Sequence, residues 1–371
     1  MSSTRWRSAR PAPVNLPRLE EPTSVTAVTT LHPSSTTLPA AVMAELATDA
    51  ARLEREGVTG ADVQRLAAAG LLALYGPPEL GGASAAEQRR VAEQLAGASP
   101  DAWFVWYQHG PVVRMLAASD NEQSKQRHLA ALCSGRELGA VSYSHLRTPR
   151  PSTFAERVEG GWRLTGSQPW CTAWPLADVV LAGALDRAAD RVVFALVPAG
   201  DRPELHSTGL LDLAAMGGTS THALAYEGLA VGDAQVLAVR DRAEFQAQDT
   251  GANTNVQSST FGVALAALDL LEQRQPAAAA RLRERVLEVR TRAYRLIDEV
   301  PAQERHDERL AARAQALVLG VECATALLTA RGGQGMDLAD PAQRLLRAAA
   351  FQIVHSQAAH IRAATLDLLV A

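Results

Sequence analysis

The sequence predicts an α+β protein in three consecutive parts: an N-terminal helical domain, a central β-barrel domain and a C-terminal four-helix bundle. Three observations carry this reading. Apolar residues recur at helical spacing over 37–137. Short apolar runs bounded by turn residues replace them over 138–240. Long amphipathic stretches then fill 241–371. A chain of 371 residues also exceeds the ~100–200 that one ordinary core organises.

Residues 1–36 read as a disordered tail, rich in Pro, Ser and Thr and without a sustained period. Arg5, Arg7 and Arg10 make its start basic, but no apolar segment follows, so a secretory signal is not expected. The first helix runs from Ala41 to Glu56 and ends at Gly57, and a second starts near Thr59 and continues to Gly70. Pro77-Pro78 and Gly81-Gly82 break the chain. Ser84-Ala-Ala-Glu87 is a capping box, and Asp120-Asn-Glu-Gln123 opens a helix that Gly135 closes.

The period changes near residue 138. Leu138 to Ser144 is short and apolar. Thr153 to Val158 and Trp162 to Gln168 flank Glu159-Gly-Gly161, a hairpin signal. Asp178 to Leu185, Arg191 to Pro198, His222 to Leu229 and Ala234 to Leu237 complete the strands, whose spacing suits a small barrel. The four bundle helices are expected over Thr254–Arg274, Ala277–Val300, Gln303–Arg331 and Pro341–Val370. Asp340 before Pro341 is an N-cap followed by proline at the first helical position.

Composition excludes several classes. Hydrophobic residues are 47% and charged residues 20%, as in soluble globular proteins, which sets aside collagen and bulk disorder. A net charge of −4 argues against a nucleic-acid partner. No run approaches the ~20 consecutive apolar residues of a membrane span, so no membrane partner is expected. Cys133, Cys171 and Cys323 are odd in number and far apart, which points to a reducing cytoplasm rather than a disulfide framework or a zinc site. Lys125 is the only lysine, so a P-loop is excluded.

Five segments in order resemble the acyl-CoA dehydrogenase superfamily, including its flavin-dependent monooxygenase branch. They are Gly70-Leu-Leu-Ala-Leu-Tyr-Gly-Pro-Pro-Glu-Leu-Gly-Gly82, Ser119-Asp-Asn-Glu-Gln-Ser-Lys125, Gly139-Ala-Val-Ser-Tyr-Ser-His145, Gly161-Trp-Arg-Leu-Thr-Gly-Ser-Gln-Pro-Trp-Cys-Thr172, and Gly332-Gly-Gln-Gly335 followed by Arg344-Leu-Leu-Arg347. The resemblance implies a flavin, FAD or alternatively FMN, between the β domain and the bundle. It places Tyr143 and Ser144 at the pyrimidine side of the ring, Trp170 beside the ring, and the Thr172 hydroxyl at its redox-active nitrogen. It places Arg274, Gly332 and Gly333 near the dinucleotide phosphates. Glycine suits that task because a backbone without Cβ can approach a phosphate.

The resemblance also locates the catalytic position. Family members carry a glutamate there that removes a proton α to a thioester. The matching stretch here is Phe351-Gln-Ile-Val-His-Ser-Gln357, so His355 is the candidate base. Imidazole titrates near neutral pH and can serve as one. The second candidate catalytic residue is His109, in Tyr107-Gln-His-Gly110, which resembles a position of the monooxygenase branch. Arg281, Arg283, Arg285, Arg290, Arg292 and Arg295 make one bundle helix basic, either as a solvated face or as a phosphate site.

Three functions stay open on this reading. One is a flavin oxidoreductase acting on the CH–CH group of an acyl-thioester-like substrate such as an acyl-CoA. A second is a two-component monooxygenase using reduced flavin and oxygen. The third is a non-catalytic subunit. The implied partners are a second copy in a homodimer or homotetramer, and an electron-transfer or flavin-reductase protein.

Overall fold

The computed structural model describes residues 38–371, and the tail expected over 1–36 lies outside the described residues. Helices α1 (Leu38–Glu56), α2 (Gly60–Ala68), α3 (Ala85–Ala98) and α4 (Pro100–Ala118) open the fold. Their starts are chemically marked. Thr59 and Asp62 cap α2 reciprocally, and the Ser84 hydroxyl accepts from the Glu87 N–H at α3. Pro100 follows the N-cap Ser99 at the start of α4. Short α5 (Glu122–Ser124) and α6 (Ala130–Ser134) flank a π turn, and Gly135 closes α6 in the left-handed conformation.

The β domain holds β1 (Gly139–Ser142), β2 (Thr153–Val158), β3 (Gly161–Cys171), β4 (Val179–Asp186), β5 (Arg191–Pro198), β6 (Leu205–Leu210), β7 (His222–Gly232) and β8 (Val236–Asp241). The sheet runs β6-β7-β3-β2-β4-β5-β8, with β1 parallel to β4. Among the described residues β6 and β8 are the ends of this order, and the strands form one eight-stranded sheet. Strands β4 and β5 are buried on both faces, which is why their sequences are continuously apolar. One face, with Val180, Ala182, Val193 and Ala195, packs inside the β domain against Trp162 and Tyr226. The other, with Leu181, Val192 and Phe194, packs on Val112 and Leu116 of α4. The sheet is thereby fastened to the helical layer.

The C-terminal part holds α7 (Arg242–Thr254), α8 (Ser258–Glu272), α9 (Pro276–Glu299), α10 (His306–Arg331), α11 (Pro341–Val354) and α12 (Ala359–Leu369). This corrects the four expected stretches in two places. An extra helix, α7, follows β8, and the last stretch breaks after Val354 into α11 and α12. Helix α8 lies against α3 so closely that a Cβ on Gly262 would sit 2.1 Å from the Glu93 carbonyl oxygen. Among the described helices, only that over His306–Met336 is long and apolar enough to cross a membrane. It serves as a core helix of the bundle, packed on α8, α9, α11 and α12.

Candidate functional site

Two segments build the site: the end of β3 and the turn between α11 and α12. On β3, Gln168 pairs with Leu224 and Cys171 with His222, so Pro169 and Trp170 together oppose one residue of β7. That bulge re-aims the strand. Trp170 is left 51% exposed, while Gln168, Cys171 and Thr172 are buried.

The buried Thr172 hydroxyl lies 3.0 Å from that of Thr221, which lies 2.8 Å from that of Thr219. Thr219 donates to the Met216 carbonyl at 2.7 Å. The loop carrying Thr219 is held against α1 and α4. The Gly218 N–H donates to the Asp101 carboxylate at 2.9 Å, and a Cβ on Gly218 would lie 1.9 Å from the Leu53 carbonyl oxygen. Burial, and then the charge of Glu54, push the Asp101 carboxyl up to about 6. Ala173, Met216 and Ser220 all adopt positive φ (60°, 60° and 47°) around this threonine chain. Non-glycine residues in that region are costly and gather at functional sites.

Tyr143 and Ser144 follow β1. The Tyr143 ring meets Phe194 edge-on at 5.5 Å, with the Arg147 guanidinium 5.7 Å above it. With the Gln168 amide oxygen turned toward them, it accepts from the Tyr143 N–H (2.6 Å) and the Ser144 N–H (2.9 Å). The chain itself therefore holds the backbone donors at this strand end.

At the second segment, His355 ends α11 with its N–H on the Phe351 carbonyl, and Ser356 turns the chain with φ 52°. The His355 ring stacks on Phe351 at 5.2 Å and meets Trp103, Phe104 and Tyr107 edge-on at 5.9, 5.2 and 5.3 Å. Burial, with the nearby Arg313 and Arg147, pushes its pKa down to about 3, so the imidazole is neutral at pH 7. Among the described residues its Nδ1 has no hydrogen-bond partner, nor do the buried Trp103 Nε1 and Arg313 Nε close by. Arg313 donates to the Asn255 and His355 carbonyls at 2.9 and 3.1 Å and meets no carboxylate among the described residues. Arg147, by contrast, forms a two-point pair with Asp249 of α7, at 2.9 and 3.0 Å.

The remaining sequence candidates lie elsewhere. His109 is fully buried in α4, and its Nδ1 accepts the Gly139 N–H at 3.0 Å. It straps α4 to β1, and the fold encloses its ring. Arg274 is exposed just beyond α8, close enough to Asp340 for their charges to interact. Asp340 also holds Arg331, directly before the exposed Gly332 and Gly333, where added Cβ atoms would meet nothing. These three residues thus gather at the α10–α11 connection, apart from the β3 end. On α9, Arg283 pairs with Asp269 and Glu272, Arg285 with Glu322, and Arg290 with Glu93. Half of its six arginines are therefore bound to carboxylates of the same chain.

Residues 36–136 match the family described as acyl-CoA dehydrogenase, N-terminal domain. A mitochondrial 2-methylacyl-CoA dehydrogenase from Solanum tuberosum is 28% identical over 131 residues, 34% of this chain and 32% of that protein. The match thus spans about a third of that curated relative. An acyl-CoA dehydrogenase structure from Geobacillus kaustophilus superposes with TM-score 0.77 at 16% identity, covering 93% of this chain and 100% of that one. Residues 36–136 thus match the acyl-CoA dehydrogenase family, and the chain as a whole has the acyl-CoA dehydrogenase fold. A structure described as the FAD complex of PigA superposes with TM-score 0.76 at 15% identity, covering 93% of this chain and 99% of that one. At such identities these structural likenesses speak for the superfamily fold.

The residues at the end of β3 would suit a flat, hydrogen-bonding ring such as a flavin. The exposed Trp170 indole is a flat wall beside a buried hydroxyl, and three buried polar atoms without partners among the described residues lie at the α11–α12 turn. Sequence reasoning missed Gln168, Thr219, Thr221 and Arg313 as parts of this site. The threonines and Gln168 meet only through folding, and no local pattern marks them. Arg313 did leave a signal, as a charge between Ala312 and Ala314 on the apolar face of α10.

Proposed function

We propose that the protein is a flavin-dependent oxidoreductase acting on the CH–CH group of a small acyl-thioester-like substrate. The arrangement of the α11–α12 turn carries the reading: a neutral imidazole set among Trp103, Phe104, Tyr107 and Phe351, with no partner for Nδ1 among the described residues. A bound flavin supplies the acceptor for the two electrons of such a reaction. His355 takes the substrate proton, and its neutral state at pH 7 leaves it able to do so. The aromatic rings exclude water from the proton transfer and form an apolar wall for an acyl chain. Trp170 would back the ring system and the Thr172 hydroxyl would hold its redox-active nitrogen, with Tyr143 and Ser144 serving its pyrimidine side. FAD is the proposed cofactor, since Arg274, Gly332 and Gly333 offer a cation and open backbone to its phosphates; FMN is the alternative. These residues would serve it within a homodimer or homotetramer. The electrons would leave through an electron-transfer partner, in the cytoplasm.

The experiment is anaerobic titration of the flavin-loaded protein with a panel of acyl-CoA thioesters. Bleaching of the visible flavin band by one of them is the expected result, lost in His355→Ala. Unchanged bleaching in that variant removes His355 from the chemistry.

A second reading has its own observation. His355 is a weak base in its resting surroundings, and no carboxylate pairs with it. A monooxygenase using reduced flavin from a reductase would need no α-proton removal. Oxygen consumption with free reduced flavin and a small substrate, and no bleaching by any acyl-CoA, would favour it.

A further inference from the structure

The threonine chain behind Thr172 has a direction. Each threonine hydroxyl has one hydrogen to give. That of Thr219 goes to the Met216 carbonyl, 2.7 Å away. The 2.8 Å contact between Thr219 and Thr221 must then be donated by Thr221. The hydrogen of Thr221 is thereby spent, so the 3.0 Å contact with Thr172 must be donated by Thr172. All three side chains are buried, and an unpaired buried hydroxyl is costly, so the three bonds hold one another in this order. The loop cannot easily relax. Gly218 is wedged on the Leu53 carbonyl and tied to Asp101, and Ala173 donates its N–H to the Thr219 carbonyl at 2.9 Å. The consequence at the front of the chain is that Thr172 has lone pairs to offer and no hydrogen.

We propose that the Thr219–Thr221–Thr172 chain fixes Thr172 Oγ1 as an acceptor and so makes the site select the reduced form of its flavin over the oxidised form. The inference rests on the reading that a flavin binds with its redox-active nitrogen at Thr172. That nitrogen offers only a lone pair when the flavin is oxidised and carries a hydrogen when it is reduced. An acceptor facing it bonds to the reduced form and opposes the oxidised one. Thr219 and Thr221 are positioning residues, acting through Thr172. The expected selectivity is about tenfold or more, the worth of one hydrogen bond gained. A tenfold preference raises a two-electron potential by about 30 mV. This serves either chemistry: it draws electrons from a substrate, or it retains a flavin delivered already reduced.

The test is anaerobic measurement of the dissociation constants of oxidised and reduced FAD for the full chain and three variants. The wild type is expected to hold reduced FAD at least ~10-fold tighter. Thr221→Val removes the acceptor for the Thr172 hydrogen and lets that hydroxyl turn outward, so the preference should collapse by about the same factor. Thr221→Ser restores the hydroxyl and should restore the preference. Should Thr221→Val fail to fold, Thr219→Val frees the Thr221 hydrogen to turn toward Thr172, which releases the Thr172 hydrogen outward and should weaken the preference. Equal or tighter binding of oxidised FAD by the wild type, or an unchanged ratio in a folded Val variant, overturns the inference while leaving the flavin reading intact. Binding of neither form overturns both.

Discussion

Arg313 donates from Nη2 to the backbone carbonyl of His355 at 3.1 Å, and this bond ties α10 to the break between α11 and α12. Nothing else in the local sequence ends α11 there: Val354-His-Ser-Gln-Ala358 contains neither glycine nor proline. The guanidinium holds the turn and also contributes to keeping the His355 ring neutral.

Arg313→Met should therefore act twice. It leaves the Asn255 and His355 carbonyls without their donor, which should cost about 2–4 kcal/mol of stability in denaturant unfolding. It also removes a positive charge, so the His355 titration followed by NMR should move up from about 3. A variant as stable as wild type with an unmoved His355 would contradict both.

Three buried groups contribute to the acid side of the stability curve. His109 and His355 are neutral in the fold, with pKa values near 4 and 3, so their protons are taken up on unfolding below the ordinary value of 6.5. Their contribution is present above that value and is lost as pH falls toward 4. Asp101 has the opposite sign. Its folded pKa of about 6 lies above the ordinary value of 3.8, so its contribution is lost as pH rises through that window. Between about pH 4 and 6 the two histidines outweigh the one carboxyl, and these groups together make stability rise by roughly 1.4 kcal/mol per pH unit. Asp101→Asn removes the opposing proton, and denaturant melts across that range should show the slope steepening by roughly 1.4 kcal/mol per pH unit. A slope unchanged by the substitution would contradict the assignment.

Gly218→Ala should be poorly tolerated. Its Cβ would stand 1.9 Å from the Leu53 carbonyl, backbone that cannot move aside cheaply. A loss of about 3 kcal/mol or more is expected in denaturant unfolding. The change also displaces Thr219, so any surviving fold should bind flavin more weakly.

Gln168→Leu keeps the volume of a buried residue and removes the acceptor for the Tyr143 and Ser144 N–H groups. Stability should fall by about 1–3 kcal/mol. An unchanged unfolding midpoint would mean that these two donors find another partner.

Much of this architecture was legible where chemistry is local. Thr59, Ser84 and Asp340 cap the helices they were expected to start, and a two-residue turn joins β2 to β3 at Glu159-Gly160. What could not be read depends on distant partners. β6 was missed because its outer half is exposed and polar, so its residues carry no alternating apolar pattern. The bulge at Pro169 and Trp170 is set by pairing with β7, and the break after Val354 by Arg313 on α10. The His355 position was visible through the family resemblance. The threonines behind Thr172 were not, since Thr219 and Thr221 lie some fifty residues along the chain and join it only through the fold.

The central claim is that this chain holds a flavin which a thioester substrate can reduce with His355 as base. Anaerobic addition of acyl-CoA thioesters to flavin-loaded protein, followed in the visible flavin band, tests it most directly. The account predicts bleaching by at least one thioester in the wild type and none in His355→Ala. A protein that binds flavin and is bleached by no thioester, or equally with and without the imidazole, would contradict it.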